Sequence, residues 1–192
     1  AVDHLGTTLF DVSVHPTNGR VYVPNTDARN FVRFEHALGV QGHVVDNRMS
    51  IVEPGPAATV TIVDLNAHVV RSSDPSTNLA ERQASISQPG AMAWRPDGSA
   101  AYVTAIGSRK LFKLDGACLG GSCIFGPDRA SPRAVTLDEG PTGVAFHAPS
   151  DRVFVLSRFA NTISTVDGTT LAVVSVTPMH DASDAIVKAA RR

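Results

Sequence analysis

The sequence is poor in several things, and each shortage excludes a class of protein. No run approaches eighteen apolar residues, so no helical membrane span is expected. Seventeen basic residues against eighteen acidic ones leave a formal charge of −1, with no clustered basic face that would suit nucleic acid or an anionic membrane. Lysine is almost missing: Lys110, Lys113 and Lys188 are the only three. There is no CxxCH, so the chain itself holds no covalent haem, and there is no GxSxG, HExxH or P-loop. No catalytic residue is nominated, and a non-enzymatic role is the expectation. A signal pattern is also missing, and the chain opens on Ala1, which reads as a processed protein or a piece of a longer one.

Cysteine is scarce but paired. Cys118 and Cys123 frame CLGGSC, whose glycines make the loop supple enough to bring the sulfurs together. A disulfide there would close a small ring and stabilise the fold by roughly 2 kcal/mol. The alternative is two reduced thiols in a surface loop. A disulfide implies an oxidising compartment, hence a periplasmic or secreted protein. Structural zinc would need four ligands, and neither a CxxC nor a neighbouring histidine supplies them.

What the chain does contain is a phrase spoken three times. VSVHPTNGRVYVPN at residues 12–25 returns as MAWRPDGSAAYVTA and again as VAFHAPSDRVFVLS. Aligned on His15, Arg95 and His147, the apolar pairs Val12/Val14, Met92/Trp94 and Val144/Phe146 alternate with small residues, which predicts a strand. A proline follows each, and Asn18-Gly19, Asp97-Gly98 and Ser150-Asp151 predict a tight turn. The returning strands carry Tyr22, Tyr102 and Phe154 at one aligned position. A third strand is expected to end at Asp64, Asp115 and Asp167, and a fourth at AHVV, RAVTL and LAVVSV. Self-similar sets of four short antiparallel strands predict an all-β chain of about three propeller blades, a partial propeller. The expected units are 8–75, 86–138 and 140–177, within a blade region 1–177. Residues 178–192 read as a tail or linker with a short helix capped by Ser183 or Asp184.

The stretch PTGVAFHAPSDRVFVLSRFANTISTVDGTTLAVVSV resembles the bacterial YVTN-type β-propeller repeat over its whole length. Pro141, Gly143, Val144, Ala145, Val153, Phe154, Val155, Asn161, Thr162, Ile163, Ser164, Val166 and Asp167 carry the likeness. The first two units match less fully and depart by insertions. A second resemblance, in NTDARNFVRFE…GHVVDNR, is to propellers of large secreted bacterial proteins with a c-type cytochrome domain. It implies haem c outside these residues, with SDAIVKAARR as the connector.

The spacing from aligned aromatic to closing aspartate is the same in units two and three but much longer in unit one, which places an insertion at about 27–57. Rigidly mounted loops commonly carry binding. His36 and His43 are weak metal candidates there, with Glu35, Asp46 or Glu53 to complete a site. The plainer reading has Phe31, Phe34, Val44, Val45, Ile51 and Val52 folding the insertion onto the blade as an extra hairpin. Arg29, Arg33, Glu35, His36, His43 and Arg48 form the candidate partner surface. His15 and His147 are read as structural, Trp94 as packing, and the three aspartates as turn formers.

Closed propellers need at least four blades, so three leave two apolar flanks. The expected partners are the remaining blades of a longer parent chain or a second copy. The expected role is a non-catalytic scaffold or binding module of an extracytoplasmic bacterial protein. The alternatives are an accessory to a c-type haem domain, in electron transfer or peroxidase-like chemistry, and a lactonase-like propeller hydrolase.

Overall fold

A computed structural model describes residues 3, 5–29, 45–70, 79–122, 125 and 133–179. The chain folds as three antiparallel sheets in sequence order. Blade one holds β1 (Thr8–Leu9), β2 (Ser13–Val14), β3 (Val21–Ala28), β4 (Val45–Glu53) and β5 (Thr59–Asp64). A short helix, α1 (Leu79–Ala84), leads to blade two: β6 (Pro89–Trp94), β7 (Ala100–Ala105), β8 (Lys110–Asp115) and β9 (Ala134–Thr136). Blade three is β10 (Pro141–His147), β11 (Arg152–Ser157), β12 (Thr162–Asp167) and β13 (Val173–Pro178). Each sheet meanders outward strand by strand; in blade one, β1 and β2 share the inner position beside β3. This is the expected all-β arrangement of three blades. The expected C-terminal helix lies outside the described residues.

The hairpins between first and second strands form where the turn chemistry places them. Gly19 and Gly98 take φ of 75° and 74°. Asp151 does the same work at φ 49° after a short 3₁₀ turn, Ala148–Ser150, where a side chain costs roughly 1 kcal/mol more than glycine.

Blade one departs from the expected strand order. β4 pairs with β3 along its length, from Val21 opposite Val52 to Ala28 opposite Val45. Residues 45–53, assigned by sequence to the insertion, are therefore the third strand itself, and TVTIVD is the outer strand. Among the described residues AHVV forms a turn rather than a strand. Asp115 and Asp167 lie opposite Ala100 and Arg152. The matching register in blade one puts Glu53, not Asp64, opposite Arg20, and the two form an ion pair as Arg152 and Asp167 do. The insertion's described parts extend β3 and supply β4, which pair antiparallel; residues 30–44, Phe31, Phe34 and Val44 among them, lie outside the described residues.

Two cores form between the sheets. Tyr22, Met49, Ile51 and Val63 of blade one meet Ala101, Val103, Phe112 and Leu114 of blade two. Tyr102 and Leu111, from the opposite face of blade two, meet Val153, Val155 and Val166 of blade three. Strand periodicity of two sends alternate β7 residues to alternate cores, so every residue of β7 is buried.

Candidate functional site

The chemistry of this molecule is concentrated where one blade meets the next. Each joint uses the same aligned positions. In the first, the Tyr22 ring stands edge-on to Trp94 at 4.9 Å, and His15 packs on Trp94 at 4.6 Å. The Tyr22 hydroxyl donates to the Leu119 carbonyl at 2.7 Å, beyond the third strand of blade two. His15 is buried, with Nδ1 accepting from the amides of Thr17 and Asn18, and its ring fills the space a Cβ on Gly98 would need. Glycine is required there by both contact and φ.

The second joint repeats this one blade along. Tyr102 stacks on Phe146 at 5.3 Å, and its hydroxyl donates to the Gly168 carbonyl at 2.7 Å. Arg95, standing where blade one has His15, lies 5.0 Å over the Phe146 ring, donates to the Tyr102 hydroxyl at 2.9 Å and pairs with Asp151 at 2.5 Å. Burial pushes both tyrosines up from the usual phenol range, so both stay protonated donors at neutral pH.

The third set of positions faces outward. His147 is exposed, with Nδ1 held by Ser150 at 2.8 Å. Phe154 is 39% exposed, although its counterparts Tyr22 and Tyr102 are fully buried. Leu156 and Phe159 are exposed beside it. At the other end, blade one shows Leu9, Val12 and Val14, the last two standing where Met92/Trp94 and Val144/Phe146 fill the joints. Leu9 and Val12, with Leu5, Phe10, Asp11, Val21, Val23 and Val52, line a groove of about 530 Å³.

A further cavity of about 490 Å³ lies along the inner strands, lined by Phe10, Asp11, Gly90, Ala91, Pro141 and Thr142 with Gln88, Thr104 and Ile106. The first strands of blades two and three shift register there, between Pro89 and Met92 and between Pro141 and Gly143. The shift in β6 frees the Met92 amide, which donates to Asp11 Oδ2 at 3.0 Å, while Oδ1 accepts from Val12. Asp11, the one carboxylate among the described residues that line this cavity, is thus committed to backbone amides.

The residues nominated from sequence are placed unevenly. Arg29 pairs with Asp46 at 3.2 Å. Arg48 pairs with Asp27 at 3.0 Å and reaches Asn25 and the Leu5 carbonyl. Both therefore brace blade one. Arg33, Glu35, His36 and His43 lie outside the described residues, as does Cys123; Cys118 is buried in the first core. Among the described residues no group of three or more His, Cys, Asp or Glu is placed to hold a metal. Asp167 accepts from the amides of Thr169 and Thr170 and from the Thr170 hydroxyl, and those bonds hold its carboxyl below the usual range. Burial works to raise Asp115, but hydrogen bonds and charge from Arg133 and Lys113 outweigh it. Lys110 is buried, donates to the Gln83 and Ser85 carbonyls at 2.5 and 2.7 Å, and has its pKa lowered by burial. It ties the connector from α1 to blade two. The latch roles of Tyr22, Tyr102 and Asp11 had no signature beyond the aligned ring in the first two and a broken alternation in the third.

Comparison of the fold with solved structures finds β-propeller proteins. Hydrazine synthase of Kuenenia stuttgartiensis aligns with a TM-score of 0.63 at 19% identity, over 87% of this chain and 47% of that one. A candidate 6-phosphogluconolactonase of Bacteroides fragilis aligns at 0.54 and 12% identity, over 93% and 45%. Apo AztD from Citrobacter koseri aligns at 0.52 and 12% identity, over 88% and 35%. The chain thus spans about half, or less, of these neighbours, and the likeness establishes the propeller fold. No protein-family profile matches the chain, and no curated protein is significantly similar to it.

Proposed function

We propose that this chain supplies three adjacent blades, of YVTN repeat type, to a larger β-propeller that serves as a non-catalytic scaffold or binding module of an extracytoplasmic bacterial protein. The observation that carries the reading is the joint set His147/Phe154. The same positions pack against the following blade at 15/22 and 95/102, with His15, Tyr22 and Tyr102 buried and Arg95 half-buried, and the third time they face outward. The commitment of Asp11, Asp115 and Asp167 to amides and ion pairs supports a structural use of these carboxylates over a hydrolytic one such as a lactonase's. A Cys118–Cys123 disulfide and a periplasmic or secreted location belong to this reading. Thiol titration of the unreduced, unfolded chain tests the disulfide, with none found as the expected result.

The accessory role beside a c-type haem domain rests on the resemblance in NTDARNFVRFE…GHVVDNR. A parent gene without CxxCH removes it.

The decisive experiment pairs a solvatochromic apolar dye with light scattering. A monomeric chain is expected to bind dye strongly, and Phe154→Asp with Leu156→Asp is expected to cut that binding. A chain that is monomeric and binds no dye covers its own flanks, which overturns the reading.

A further inference from the structure

We propose that the open face of blade three docks into the groove of blade one on a second copy of this chain, and that two such joints close a six-blade ring with two-fold symmetry. The proposal rests on the preceding reading and names the partner.

The internal joints supply the template. In both, the second-strand aromatic of one blade meets the first-strand apolar pair of the next. Blade three presents the giving positions, His147, Phe154 and Leu156, and blade one the receiving ones, Val12, Val14, Val21 and Val23. The two flanks are therefore opposite halves of one recurring joint.

Three details fit them to each other. The first is Leu5, which precedes Val14 as Leu137 precedes Phe146. Ile86 and Leu137 are the connector residues buried in the two internal joints. Leu5 lies at the same place on blade one, its carbonyl accepting from Ser50 at 2.9 Å, and Gly6 at φ 145° lets the chain pass against Asn25. Blade one thus already carries the connector layer that a preceding blade packs on.

The second is a matched change of chemistry. The internal joints set a tyrosine against Trp94 or Phe146, with the hydroxyl bonded to a carbonyl. Phe154 lacks the hydroxyl and Val14 lacks the ring, so this joint is apolar on both sides and leaves no buried hydroxyl without a partner. Blade one offers the Phe154 ring an apolar groove of about 530 Å³ lined by Val12, Val21 and Val23. The third is the hairpin of blade one. His15 covers Gly98, whereas nothing lies within 4 Å of a Cβ built on Gly19, the space into which His147 would project.

A head-to-tail contact closes only if its rotation divides a full turn, and otherwise grows into filaments. Three blades per copy close at two copies, within the four to eight blades of known rings.

The test is light scattering across a dilution series on the chain and on two variants. The unaltered chain is expected to be a dimer. Phe154→Asp and Val14→Asp change exposed side chains, so each should keep its circular dichroism and melting as a monomer, while association weakens by roughly thirtyfold or more, as for a residue at the centre of an apolar interface. Mixed in equal amounts, the variants should associate again through one joint and more tightly than either alone, because the intact blade three of the Val14→Asp copy meets the intact blade one of the Phe154→Asp copy, while the other joint carries both aspartates. A monomer at all concentrations that still binds apolar dye overturns this inference and leaves the larger-propeller reading standing, its blades coming from elsewhere. A dimer whose two variants fail to rescue each other overturns it too, since that contact would be face to itself.

Discussion

β7 and β11 occupy the same place in blades two and three, pair in the same register with their neighbours, and differ almost entirely in burial. Every residue of β7 is buried, whereas β11 alternates, with Val153, Val155 and Ser157 inside and Phe154 and Leu156 out. Hydrogen bonding cannot account for this, since both ladders are complete from Ala100 to Ala105 and from Arg152 to Ser157. The difference is the presence of a neighbour on the second face. Blade two shows what the repeat is for, and blade three shows the same device unemployed within one copy.

The largest effect should separate those two strands directly. Tyr102→Ala empties a fully buried site and removes a joint hydrogen bond, so unfolding free energy should fall by about 3–5 kcal/mol. Phe154→Ala, measured at monomeric dilution, should cost less than about 1 kcal/mol. Equal losses in denaturant titrations would mean that the two faces are equally covered.

Lys110→Met comes next. It abandons two carbonyls that α1's connector presents to the ammonium, and should cost roughly 1–3 kcal/mol. Tyr22→Phe rewrites the first joint in the chemistry of blade three and should cost about 1 kcal/mol, with little change in core packing. The reverse change, Phe154→Tyr, should leave the melting of the monomer unaltered.

The smallest effect is acid sensitivity. Asp115 and Asp167 are held below the usual carboxylate range in the folded chain, so the native state binds fewer protons than the unfolded one as they titrate. Their stabilisation is complete above the ordinary aspartate pKa and is lost as pH falls through the depressed values. Asp115→Asn should flatten the acid limb of a stability–pH curve more than Asp97→Asn. Asp97, also lowered by its Ser99 bonds, is fully exposed in a hairpin turn.

Much of the blade architecture was legible because hairpin chemistry is local. Asn18-Gly19 and Asp97-Gly98 announce their turns within two residues, and the flanking alternation does the rest. The third strand of blade one was misread because an outer strand such as TVTIVD has the same alternation as an inner one. A long stretch of sequence separates VDNRMSIVE from the strand it pairs with. The aspartate closing that outer strand then imitated Asp115 and Asp167, whose true counterpart is Glu53. The joints were illegible for a different reason. The acceptors of Tyr22 and Tyr102 are backbone carbonyls 97 and 66 residues away, and a carbonyl leaves no mark on residue type. Only the step from Tyr to Tyr to Phe at one aligned position hinted that the last joint differs.

The tyrosine bonds all point toward the C-terminus, and that direction bears on how the chain is made. Tyr22 is synthesised long before Leu119, so its hydroxyl waits through 97 further residues for its acceptor. At elongation rates of about 5–20 residues per second that is roughly 5–20 s during which the nascent blade one is a sheet with an uncovered apolar face. Blades one and two are each sealed by the one emerging behind, so the growing protein exposes its newest surface nearest the ribosome.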